Sequence, residues 1–175
     1  MESLGFSAAT RRGHQSHRAA VLASTWEELQ ARLQALADGQ PHPGVLTGPA
    51  VPGARPRIAF VFSGQGPQWF GMARSLLAQE PVFRQVVEQC DALLKPLAGW
   101  SILEELAAEE GRSRLARTEF AQPVMFSLQV GLAALWRSLG VEPDQLVGHS
   151  AGEVAAACVA GALRRGVAAA DDGQR

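Results

Sequence analysis

The chain has 175 residues, 47% hydrophobic and 19% charged, with a formal net charge of −1. That length fits one domain, or a domain with a small appendage, and the composition is globular. A charge so close to zero gives no reason to expect nucleic acid or an anionic membrane surface as a partner.

The two cysteines, Cys90 and Cys158, lie in apolar helical patterns. Neither a disulfide framework nor a zinc site is expected, and a reducing cytoplasm fits. The basic segment Met1 to Arg18 has no apolar centre, so it does not read as a signal peptide. The apolar stretches near Val124 and Val154 are too short, or too interrupted by Ser127 and Gln129, to span a bilayer.

In chain order, residues 1–18 are polar, basic and rich in small side chains, and little order is expected there, with His14 and His17 solvated. A short strand follows at His17 to Ala23. Ser24 with Glu27 forms a capping-box pattern, and Trp26, Leu29, Leu33 and Leu36 recur at helical spacing. A packing helix over Thr25 to Ala37 is predicted, stopped at Asp38-Gly39. Gln40 to Pro56 is rich in proline and glycine and reads as a linker with room for one edge strand at 44–47.

Arg57 to Phe62 is a continuous apolar run, as in a strand of a parallel sheet covered on both faces. It ends in Ser63-Gly64-Gln65-Gly66-Pro67, a glycine turn at the carboxyl end of a strand, where ligands meet such sheets. Helices are predicted at about 70–77, after Pro81, and at 102–108, with a break at 95–99. In the second, Phe83, Val86, Val87, Cys90, Leu93 and Leu94 mark one face. Arg117 to Pro123 reads as a polar turn, and 124–139 as a buried helix. A strand at Gln145 leads into Gly148-His149-Ser150-Ala151-Gly152-Glu153, and a helix runs on to about Gly161.

That last stretch is G-x-S-x-G between a strand and a helix. A serine on so tight a turn is exposed at the mouth of a site, and flanking glycines let strand and helix approach. The helix aims its free amides and positive dipole end at the serine, where an oxyanion would form. A second reading stays open on these residues alone: Ser150 with Glu153 also has the spacing of an ordinary capping box.

Two separated motifs then agree. Residues 60–69, Phe-Val-Phe-Ser-Gly-Gln-Gly-Pro-Gln-Trp, and residues 148–153, with Thr118-Glu119-Phe120-Ala121-Gln122-Pro123 between them, resemble the acyltransferase domains of type I modular polyketide synthases. These are relatives of the malonyl-CoA:acyl carrier protein transacylases. The resemblance runs from about residue 17 to Leu163. It implies an α/β fold: residues 53–163 as the N-terminal part of an α/β-hydrolase-like transacylase domain with a parallel sheet. Residues 1–52 resemble the small α+β linker joining a ketosynthase to its acyltransferase. Residues 164–175 do not match the family pattern.

Position by position, the resemblance implies Ser150 as the nucleophile that takes an acyl group from coenzyme A. It implies the amides of Gln65 and Ala151 as the oxyanion hole, and His149 and Gln122 as lining the acyl pocket. Gln122 beside Pro123 also reads as a helix cap, and a residue preceding an elbow serine also reads as pointing away from substrate. No bound cofactor or metal is implied. The implied partners are malonyl-CoA or a related acyl-CoA, the phosphopantetheine of an acyl carrier protein, and the ketosynthase of the same synthase, in the cytoplasm.

Two family features have no counterpart. The family's general base is a histidine far after the serine, whereas His14, His17, His42 and His149 all precede Ser150. Arg175 falls near the spacing of the family's carboxylate-binding arginine, but residues 164–174 do not match, and the agreement is taken as chance. The stretch therefore reads as a piece of an acyltransferase, inactive by itself. A non-catalytic scaffold or pseudogene fragment and a serine esterase are the alternatives. The 117–122 segment resembles malonyl-loading members, and Ala151 stands where methylmalonyl-loading members usually have glutamine.

Overall fold

A computed structural model describes residues 2–13, 15–49 and 56–163. His14, Arg175 and the rest of residues 164–175 lie outside the described residues. The chain forms two compact units, one ending at Pro56 and the other beginning at Arg57.

In the first unit, α1 (Glu2–Thr10) replaces the irregular segment expected there. The Thr10 hydroxyl donates to the Phe6 carbonyl at 2.7 Å. Leu4 and Phe6 remain exposed, so local backbone bonding and helix-favouring alanines carry this helix, and packing carries little of it. β1 (His17–Val21) pairs antiparallel with β2 (Val45–Pro49), the edge strand allowed for in the linker, with Val21 opposite Val45.

Between these strands runs α2 (Trp26–Ala37). Its cap lies one residue later than the expected Ser24–Glu27 box. Thr25 is the N-cap and accepts from the Glu28 amide at 3.2 Å, and Glu28 in turn accepts from the Ser24 amide at 2.8 Å. That bond holds the Glu28 carboxyl below the usual carboxylate range, with Arg32 adding a smaller pull in the same direction.

The second unit is built on a parallel pair, β3 (Ala59–Phe62) and β4 (Gln145–Gly148), with Ala59 opposite Gln145 and Phe62 opposite Gly148. Asp144 locks the register. Its carboxylate accepts from the Ile58 amide at 2.8 Å, and its own amide donates to the Ile58 carbonyl at 2.8 Å. The expectation of a sheet covered on both faces holds for one face among the described residues. Phe62 is buried and Phe60 and Leu146 pack on the core, whereas Val61 and Val147 are 74% and 52% exposed. Period-two alternation along a strand turns these valines to the opposite side.

The helices form the covered side. α3 (Arg74–Gln79) starts later than expected because Gly71 (φ +80°) and Ala73 (φ +67°) interrupt helical dihedrals just before it. α4 (Pro81–Ala98) takes Pro81 in its first turn, runs through Pro96 past the predicted break, and stops at Gly99 with φ +75°. Of the predicted face, Phe83, Val86, Val87 and Cys90 are buried and Leu94 packs partly on the core, whereas Leu93 is exposed. The short α5 (Ile102–Ala107) is held at its start by the buried Asp91, which accepts from the Ile102 amide at 2.6 Å.

The central helix, α6 (Thr118–Ser138), corrects a further expectation: residues 118–123 are its opening turns, not a polar turn before it. Phe120 is the reason. It is buried, with Trp100 4.8 Å away ring to ring and the Arg114 guanidinium 3.9 Å from its centroid. Arg114 is in turn paired at 2.8 Å with Glu105, which is buried. Pro123 withholds one backbone donor inside the helix, but the anchored first turns keep the helix continuous across it.

Further along, a Cβ on Gly131 would lie 2.9 Å from the Phe83 ring, so only glycine lets α4 and α6 cross this closely. α7 (Gly152–Val159) closes the core with Ala155, Ala156 and Val159. No helix among the described residues is long and apolar enough to cross a membrane.

Candidate active site

β3 and β4 end side by side, and each delivers a loop to the same place. The His149 amide donates to the Phe62 carbonyl at 3.0 Å, so the pairing extends one residue beyond β4. The chain then turns to enter α7 at Gly152.

Ser150 stands at that turn with φ +55°. A left-handed conformation costs an L-residue about 1–2 kcal/mol, so the surroundings must hold it there. The flanking glycines show how. A Cβ on Gly148 would lie 2.4 Å from the Glu153 Cα, and one on Gly152 would lie 2.2 Å from the Phe62 carbonyl oxygen. No side chain fits either position. The same geometry removes the capping-box reading of Ser150. A capping serine takes extended dihedrals and bonds a first-turn amide. Here Ala151 is the N-cap of α7, and no side chain caps that helix.

The glycine loop after β3 leans on this elbow. A Cβ on Gly64 would stand 3.2 Å from the Ser150 Cβ, 3.1 Å from the His149 carbonyl and 3.3 Å from His149 Nδ1. Two turn amides at the elbow are occupied: Gly152 donates to His149 at 3.0 Å and Glu153 to Ser150 at 2.9 Å. In the loop, the Gly66 amide meets Gln68 Oε1 at 2.7 Å. The amides of Gln65 and Ala151 enter none of these bonds.

Four of the five predicted site residues are thus on two adjoining loops: Gln65 on one, and His149, Ser150 and Ala151 on the other. Gln65, His149 and Ser150 are exposed and Ala151 is half-buried. Gln122 is exposed on α6, one turn beyond Thr118. The Thr118 hydroxyl accepts from the Gln65 side-chain amide at 3.2 Å, which ties the start of α6 to the loop.

Sequence reasoning gave no role to Thr118 or to Gln129, whose Nε2 donates to the Ser63 carbonyl at 2.7 Å. The signal for Gln129 was present, as a polar residue in an otherwise apolar helix. No group of three or more His, Cys, Asp or Glu side chains among the described residues could hold a metal ion.

A strained serine on a glycine-flanked strand-to-helix turn, beside a second glycine loop, has the backbone form of a nucleophile elbow. The chain belongs to the acyl transferase domain family, whose model matches residues 59–170. It is 49% identical over 160 residues to the spectinabilin polyketide synthase system protein NorA of Streptomyces orinoci, covering 91% of this chain and 8% of that protein. It is 46% identical over 163 residues to erythronolide synthase EryA3 of Saccharopolyspora erythraea, covering 93% of this chain and 5% of the relative.

Among solved structures, the acyltransferase domain from module 8 of the salinomycin polyketide synthase is 42% identical, with a TM-score of 0.79 over 92% of this chain and 38% of that one. The malonyl CoA-acyl carrier protein transacylase of Coxiella burnetii is 34% identical, with a TM-score of 0.54 over 62% of this chain and 33% of that one. The chain therefore spans a small fraction of its curated relatives and under half of these solved chains. The α/β class and the polyketide-synthase acyltransferase resemblance read from the sequence agree with these findings.

Proposed function

We propose that this chain carries the nucleophile half of an acyltransferase that loads a malonyl-type unit onto an acyl carrier protein. The Ser150 hydroxyl attacks the thioester carbonyl of an acyl-CoA. The resulting oxyanion is met by the amides of Gln65 and Ala151, each such donor contributing about 3–4 kcal/mol to lowering the barrier. Coenzyme A leaves as its thiol, and an acyl-serine ester remains. The phosphopantetheine thiol of the carrier protein then attacks that ester, takes the acyl group, and returns the proton to Ser150.

His149 and Gln122 line the acyl pocket in this reading. Residues 1–52 link the domain to the ketosynthase of the same synthase, and the assembly works in the cytoplasm. Proton removal from Ser150 calls for a base, which the family resemblance expects from a histidine after the serine; these 175 residues hold none there.

The observation that supports the reading most is the contact between loops: Gly64, next to Gln65, packs on a left-handed Ser150. A serine esterase would share the elbow, but the Gly64-Gln65-Gly66 turn and the relatives favour acyl transfer. The test is acylation of the full-length protein carrying this sequence by radiolabelled malonyl-CoA. Ser150→Ala should abolish the label, and undiminished labelling would refute the assignment.

A further inference from the structure

α6 is apolar over most of its surface, yet Thr118, Gln122 and Gln129 form a polar stripe along it. At about 100° per residue, Thr118 and Gln129 lie within about 20° of one another around the axis. Both reach the loop after β3, from two points along one face. Thr118 takes the Gln65 side chain at 3.2 Å. Gln129 donates through Nε2 to the Ser63 carbonyl at 2.7 Å, with the Ser63 hydroxyl 3.3 Å away.

The Ser63 carbonyl is confined from the other side as well, because a Cβ on Gly152 would come within 2.6 Å of it. One peptide oxygen is thus held between the middle of α6 and the first residue of α7. A planar trans peptide ties its carbonyl to the next amide, so fixing the Ser63 carbonyl fixes the plane that ends at Gly64. Only the two dihedrals of Gly64 separate that plane from the Gln65 amide. Gly64 is buried against His149 and Ser150, which restrains both dihedrals.

We infer that Gln129 is a positioning residue for acyl transfer: through the Ser63 carbonyl it sets the direction of the Gln65 amide toward the oxyanion. This rests on the acyl-transfer reading above. Such a donor stabilises charge only if it is aimed before the charge appears. Gln129 bonds Ser63 and acts on the site through the loop, so its effect falls on the maximal rate of acylation and leaves substrate affinity largely alone.

The test uses the full-length protein carrying this sequence, with Gln129→Met and Gln129→Glu. Acyl-enzyme formation from malonyl-CoA is followed in single turnover, and a thermal melt is recorded for each variant. Gln129→Met, which keeps the length and loses the donor, should slow maximal acylation by about 10- to 100-fold. Its half-saturating malonyl-CoA concentration should change by less than about threefold. Gln129→Glu should be slow at neutral pH and recover, relative to the parent protein, as the pH is lowered, because only the protonated acid can donate to the Ser63 carbonyl. If Gln129→Met does not melt cooperatively, the pH profile of Gln129→Glu decides alone.

Folded variants with the parent's maximal rate, or a Gln129→Glu profile that merely parallels the parent's, would overturn the inference. A Ser150→Ala control separates the two levels. If it still acylates, the acyl-transfer reading itself fails; if it is silent while Gln129→Met runs at the parent rate, only the positioning role fails.

Discussion

Gly152 lies so close to Phe62 that a single added carbon would sit 2.2 Å from the Phe62 carbonyl oxygen. That carbonyl is also the acceptor for the His149 amide. The end of β3 and the start of α7 are therefore in backbone contact, and Ser150 is held between them. Gly152→Ala should cost about 3 kcal/mol or more, since backbone must move to admit the methyl group. Gly64→Ala meets neighbours at 3.1–3.3 Å, where a shift of a few tenths of an ångström suffices. It should leave stability within about 1 kcal/mol and yet slow acylation about tenfold or more, because the displaced atoms are those of the proposed site. Denaturant titration and single-turnover acylation of both variants separate the two effects.

Ser150 itself should be a liability to folding. Its φ of +55° suits glycine better than serine. Ser150→Gly should raise unfolding free energy by about 1 kcal/mol while removing acylation altogether. A denaturation midpoint that is unchanged or lower would show that the elbow is not strained in the folded protein.

Much of this was legible beforehand, and the misses have physical causes. The glycine-flanked Ser150 turn and most of the 3.6-residue face of α4 carry a strong local pattern and formed as expected. The apolar run at 57–62 gave a strand at 59–62 covered on one face among the described residues, because nothing within the run encodes what packs on its other side. The first turns of α6 did not read as helix because Pro123 and polar residues mask the pattern locally; burial of Phe120 against Arg114 and Trp100 overrides it. Gln129 stood out as a polar residue in an apolar helix, but its partner, Ser63, is far away in sequence and no local spacing encodes that meeting. The α2 cap slipped by one residue because Ser24 and Thr25 are both competent caps, and Glu28 is placed to answer Thr25.

Expressed by itself, the 175-residue chain should be unstable and catalytically poor. Val61, Val147, Val154, Trp136 and Leu139 are all half exposed or more. Each large apolar side chain left in water forfeits about 1.5–3 kcal/mol of burial, against a typical margin of about 5–15 kcal/mol. A few are enough to invite aggregation. Without a histidine after Ser150, the hydroxyl also lacks the base that the family resemblance expects. Solubility, a melting curve and acyl-CoA-dependent labelling check this. A cooperatively melting monomer that self-acylates at ordinary enzyme rates would contradict it.

Malonyl-CoA should be preferred to methylmalonyl-CoA. Ala151 is a small residue directly after the nucleophile, and the 117–122 segment, now seen as the start of α6 with Gln122 exposed on it, resembles the malonyl-loading form. Competition between the two thioesters on the full-length protein should favour malonyl. A clear preference for the methyl-branched thioester would reverse the assignment.

The most direct measurement follows the acyl group after it reaches Ser150. The full-length protein is loaded with radiolabelled malonyl-CoA, the labelled peptide is mapped, and the label is chased with a phosphopantetheinylated carrier protein or with buffer alone. Acyl transfer predicts label on the peptide containing Ser150, rapid passage to the carrier thiol, and slow loss to water. Label on another residue, or loss to water as fast as passage to the thiol, would contradict the account.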